Sequence, residues 1–163
     1  AQAVPLEDSL RKKEVLEQVK KCPEGLIFVI AKEESRVYFA SGESRAEFYS
    51  LAIDDEELRR VFSDSKIKKI SHNLKDAWIF LSQNDIELNG LYFDTMVAGY
   101  FINPSKSGYD FSDLAWDYSG ALLKSGPMNN AHAVSIIKQL RPKLEIELRE
   151  KSLFNLFNNV VKI

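Results

Sequence analysis

Among the side chains able to do chemistry in this 163-residue chain are 24 acids, and several of them stand where an acid also serves the backbone. Asp8, the pair Asp54-Asp55, Asp94 and Asp110 each precede apolar residues at helical spacing, where a carboxylate accepts hydrogen bonds from first-turn amides. Glu33 lies between Lys32 and Glu34 after an apolar run, as at an ordinary charged strand end. His132 is isolated on a helical stretch, where histidine is more often a surface or satisfied core residue than a metal ligand. The basic run Lys66-Ile67-Lys68-Lys69 could touch phosphate, but it reads better as a solvated edge before a buried strand. Trp78, Trp116 and Tyr118 could stack on bases, yet their helical settings point to core packing.

The elements that must position these groups follow from periodicity. Leu10, Val15, Leu16 and Val19 mark an opening helix over 9–21, and Cys22-Pro23-Glu24-Gly25 ends it. Leu26 to Ala31 is continuously apolar, as in a strand buried on both faces. Arg36–Ala40 and Glu47–Leu51 are aromatic and β-branched runs that complete a three-stranded antiparallel meander. A helix carrying Leu58, Val61 and Phe62 comes next, then a strand at Ile67–Ser71. A helix at Lys75–Asn84, with Trp78 and Leu81 on its inner face, leads to a strand at Leu88–Phe93. Helices are expected at Thr95–Ile102, after Asp110, and at about Ala131–Lys151, where Pro142 is expected to bend the last. The order predicts one α/β domain over 1–163 with a mixed sheet, the meander plus parallel strands, flanked by helices.

Composition bounds the function. Apolar residues are 45% and charged residues 28%, as in soluble globular domains. No run approaches the roughly 20 apolar residues of a membrane span. The single cysteine, Cys22, can make neither an internal disulfide nor by itself a thiolate metal site, which fits the cytoplasm. A net charge of −2 offers no overall attraction to a phosphate backbone, so DNA binding by this domain alone is expected to be weak.

Ile70-Ser71-His72-Asn73-Leu74-Lys75, then Ile86 through Met96 with Phe93-Asp94-Thr95-Met96 at its end, then Tyr100-Phe101-Ile102-Asn103-Pro104 follow in order. With Tyr109 to Ala115 behind them, they resemble the 3'-to-5' exonuclease domain of bacterial DNA polymerase I, over roughly residues 10–150. The resemblance implies a ribonuclease H-like fold and an active site of four acids holding two divalent metals. Two such cations a few ångströms apart need several hard oxygen ligands to offset their repulsion. Carried over by motif, the first Asp-x-Glu falls on Ala31 and Glu33, and the Asp of Asn-x-x-x-Asp, which begins at Asn73, falls on Ala77. With Ala131-His132-Ala133-Val134-Ser135 set on the family's Asp-Ala-Asp-Val-Thr, both acids become alanine, the acid of Tyr-x-x-x-Asp falling on Ala131 and its Tyr on Pro127. Asp76 is one step from Ala77, a turn of about 100° around the helix that no rotamer repairs.

The resemblance therefore implies a vestigial domain of a DNA-directed DNA polymerase, a fragment of a longer, monomeric replication or repair enzyme. The polymerase part of the same chain would be its partner and would supply the contact to DNA. No metal or other cofactor is expected. An active exonuclease is the alternative, using Mg²⁺ or Mn²⁺ with Glu33, Asp76 and Asp94 or Asp113 as residual ligands. A relative of ribonuclease D that processes or binds RNA is the third reading.

Overall fold

The computed structural model describes residues 3–43, 47–106, 108–119 and 130–162. Among them lie six strands: β1 Ala3–Pro5, β2 Leu26–Ala31, β3 Arg36–Ser41, β4 Phe48–Ala52, β5 Lys69–Ser71 and β6 Leu91–Asp94. They form one mixed sheet in the order β1-β4-β3-β2-β5-β6. The expected meander is present, with Phe28 opposite Phe39 and Tyr38 opposite Ser50. β2, β5 and β6 run parallel, so their carboxyl ends lie together along one edge of the sheet.

Seven α-helices among the described residues surround the sheet: α1 Ser9–Lys21, α2 Glu56–Ser63, α3 Leu74–Gln83, α4 Thr95–Ile102, α5 Phe111–Ser119, α6 Asn130–Glu150 and α7 Phe154–Val161. Successive strand residues face opposite sides, and β2 shows what each side meets. Phe28 packs edge-on against Phe62 of α2, with ring centroids 5.2 Å apart. Val29, on the other face, shares a hollow with Ile137 of α6. On that same face Phe93 of β6 meets Phe157 of α7 at 4.8 Å. Asp8, Asp55, Asn73 and Asp94 cap α1, α2, α3 and α4 with their side chains, and Asp110 accepts from the Asp113 amide at the start of α5.

Several expectations are corrected. Leu10 is 73% exposed, because the inner stripe of α1 is Val15, Leu16 and Val19. Trp78 is 49% exposed and Trp116 52% exposed. The inner residues of α3 are Leu74, Ala77 and Leu81, one per turn, and that spacing turns Trp78 outward. Tyr118 is half-buried, and its hydroxyl donates to Glu147 at 2.6 Å. Lys69 is not part of a solvated edge; its side chain is buried. Strands β5 and β6 begin later than their apolar runs, since Ile67 and Leu88 fill the core from the preceding turns. Pro142 lies inside the long helix α6, as its place in the sequence implied. Neither β1 nor α7 was anticipated: β1 has three residues, and α7 has no side-chain cap to mark its start. Residues 120–129, with the motif position Pro127, lie outside the described residues.

Candidate nuclease-type site at the strand ends

The carboxyl ends of β2, β5 and β6 each hand the chain to a turn or helix, and these handovers hold the side chains of interest. Past Ala31, Lys32–Glu34 form a single 3-10 turn, closed by Ser35 with φ 52°. Past Ser71, Asn73 adopts φ 67°, and its side chain accepts from the Asp76 amide at 3.2 Å. Asparagine tolerates this left-handed geometry and satisfies local amides, so it suits a strand-to-helix turn.

Asp94 ends β6 and is 3% exposed. One of its oxygens accepts from the amides of Asn73 at 2.9 Å, Met96 at 2.9 Å and Val97 at 3.3 Å. The other accepts from the Leu74 amide at 2.8 Å. A single carboxylate thus caps α4 and also secures the start of α3, where two sets of first-turn donors need acceptors. Beside it, the His72 Nδ1 and Thr95 Oγ1 lie 2.8 Å apart, and the imidazole meets Phe111 edge-on at 5.5 Å. Burial pushes the His72 pKa below its ordinary value, against the opposing pull of the Asp94 and Asp110 carboxylates.

Between these ends lies a hollow of about 260 Å³. Val29 and Ile30 of β2, Ala77 of α3, Phe111 of α5, and Ala133 and Ile137 of α6 make its apolar walls. Its polar margin consists of Lys32, Ser71, His72, Asn73 and Asp76. Ser71 is already committed, its hydroxyl donating to the Phe28 carbonyl at 2.7 Å. At the mouth the Lys32 ammonium pairs with Asp76 at 2.8 Å and lies 5.5 Å from the Phe80 ring.

The structure gathers some of the expected positions here and not others. Of the three alanines, Ala77 lines the hollow, while Ala31 and Ala131 are buried without contributing to its lining. Val29 and Ile30, just upstream of Ala31, form the strand wall; Ala133 and Ile137, one helical turn apart, form the helix wall. Glu33 sits exposed in the 3-10 turn, and Asp113 and His132 are also exposed outside the lining. Asp76 is at the margin, 54% exposed and ion-paired. The i, i+4 spacing of Ala133 and Ile137 on α6 was the signal that could have placed the helix wall. Two divalent cations do not fit this donor set, in which Asp76 is the one lining carboxylate and already has a cation. Among the described residues, no three His, Cys, Asp or Glu side chains converge as a metal site.

Residues 24–125 match the family model described as DNA polymerase I, ribonuclease H-like domain. DNA polymerase I of Bacillus subtilis (strain 168) is 33% identical over 75 residues, a match covering 46% of this chain and 8% of that protein. The fold is similar to that of the POL domain of Pol1 from M. smegmatis in complex with DNA primer-template and dNTP. The TM-score is 0.81 at 18% identity, over 96% of this chain and 29% of the other. It is also similar to Escherichia coli RNase D, an exoribonuclease involved in structured RNA processing. That pair has a TM-score of 0.67 at 15% identity, over 100% of this chain and 51% of the other. The matched stretch thus spans under a tenth of that polymerase, and the chain's sheet is the mixed sheet of ribonuclease H-like exonucleases.

Proposed function

Since the chain belongs to the family of the DNA polymerase I ribonuclease H-like domain, we propose that it is a non-cleaving member, kept as a structural module of a longer DNA polymerase. The observation that carries this reading is the hollow at the strand ends. Where an exonuclease would need several carboxylates, its walls are Val29, Ile30, Ala77, Ala133 and Ile137. Hydrolysis by two metals needs both ions held by hard oxygen ligands, and aliphatic side chains supply none. Lys32 adds a positive charge at the mouth and occupies Asp76. Asp94 is engaged with four amides and holds the backbone together instead of facing the hollow.

The same reading gives the exposed apolar residues of the far helices a use. Leu156 and Val160 stand one turn apart on α7 and are 55% and 41% exposed, and Ile146 on α6 is 58% exposed. In a longer polymerase these would pack against the remainder of the chain, through which the domain would meet DNA, in the cytoplasm. No helix among the described residues is long and apolar enough to cross a membrane.

The test is a 3'-extended, labelled single-stranded DNA incubated with the domain and Mg²⁺ or Mn²⁺. The expected result is an unchanged oligonucleotide. Metal-dependent shortening from the 3' end, abolished by Glu33→Ala, would overturn the proposal. Shortening of RNA but not DNA would favour a ribonuclease D-like activity instead.

A further inference from the structure

At the opposite ends of β5 and β6 from the hollow, the Lys69 ammonium is shut inside the protein. The residue has 0% relative exposure. It donates to three backbone carbonyls, those of Asp64 at 2.9 Å, Ile67 at 2.7 Å and Asn89 at 2.8 Å. These are as many acceptors as an ammonium has protons. The carbonyls come from two turns: Asp64 and Ile67 from the link between α2 and β5, Asn89 from the link into β6. Other bonds fix the same turns. The Lys69 amide donates to the Gly90 carbonyl at 2.8 Å, and the Asn89 side chain donates to the Ser63 carbonyl at 2.9 Å. Gly90, at φ +75°, lets the Ile67 carbonyl approach, since a Cβ there would lie 2.5 Å from that oxygen. The β5–β6 pairing also shifts register between Lys69 and Ile70, so the short parallel ladder has an irregular start.

We propose that Lys69 is the protein's own structural cation, whose ammonium binds two turns together and thereby sets the strands that lead to Asn73 and end on Asp94. Three converging carbonyls make a negative cage of the kind that coordinates a monovalent cation. Here the charge arrives on a side chain, with the Asp64 carboxylate as the nearby counter-charge. β5 has only three residues between this cage and the turn at His72-Asn73. Loosening its start should therefore reach the amides that Asp94 holds.

The first measurement uses the unaltered protein: the ¹⁵Nζ resonance of Lys69 should persist near neutral pH, its protons exchanging with water at least roughly 10-fold more slowly than those of Lys66 and Lys68. Exchange as fast as at those two lysines would overturn the proposal. The second uses Lys69→Met, which keeps length and removes the donors. Its melting temperature should fall by roughly 10 °C or more, and amide exchange at Asn73 and Leu74 should quicken. A melting temperature within about 2 °C of the parent, or a fall without faster exchange at those two amides, would count against it. In Lys69→Ala, propylammonium should recover part of the loss, whereas tetramethylammonium, which has no N–H to donate, should not. Equal response to the two ions would overturn the cage as the cause.

Discussion

Two carboxylates flank the start of α3, and the fold uses them in opposite ways. Asp94 is buried, and every hydrogen bond it accepts comes from a backbone amide on one of two helices. Asp76 stands at the mouth of the hollow, more than half exposed, with a flexible lysine as its ion-pair partner. A charge held by fixed amides away from water becomes part of the framework. A charge paired with a mobile, solvated ammonium contributes little, because water competes for both ions and holding the side chains costs entropy. The region around Asp94 is thus built from polar contacts, whereas the region from β2 across to α6 is built from apolar walls.

The contrast can be broken most readily at Asp94. Asp94→Ala leaves four amides without their acceptor, two of them on each of two helix starts, and should cost about 3 kcal/mol or more in urea-unfolding free energy. Asp94→Asn, which keeps one oxygen, should lie between it and the parent. If Asp94→Ala unfolds at the parent's midpoint, the framework role is wrong.

A smaller effect belongs to His72. Its pKa lies below the ordinary 6.5, first because of burial, so the folded protein takes up this proton less readily than the unfolded chain. The contribution is therefore fully present above the unfolded value and is lost as pH falls through the folded one. Between about pH 7.5 and about pH 5 the parent should lose more stability than His72→Gln, compared by melting at each pH. Parallel pH curves for the two proteins would remove His72 from the account.

The smallest change is expected at the mouth. Asp76→Ala should alter unfolding free energy by less than about 1 kcal/mol, and added salt should narrow the difference further. A loss as large as that of Asp94→Ala would erase the distinction between the two regions.

What could be read from the chain divides along similar lines. Asp8, Asp55, Asn73 and Asp94 were legible as caps because a cap depends on neighbours within a few residues. The meander was legible because aromatic and β-branched runs alternate with turns. The apolar walls were not. Val29 and Ile137 meet only when β2 and α6 pack together, a contact between residues more than a hundred positions apart that no local pattern announces. Trp78 and Trp116 were misplaced because a helical setting fixes a period but not which face is inner, and the inner faces carry Ala77 and Ala115 instead. Lys69 was hidden in a basic run: local charge gives no sign of three carbonyls arriving from elsewhere.

Asp94 also bears on the order in which the chain can assemble. Its bonds to the Asn73 and Leu74 amides span 21 and 20 residues, so they close only after β5 and β6 have paired. Helix α3 has ten residues, short for a helix that must persist alone in water. Its first turn should then become permanent late in folding, in the same step as that of α4. Under native conditions the amides of Asn73, Leu74 and Met96 should open together, as one unit of exchange joining two helices that are separate in sequence.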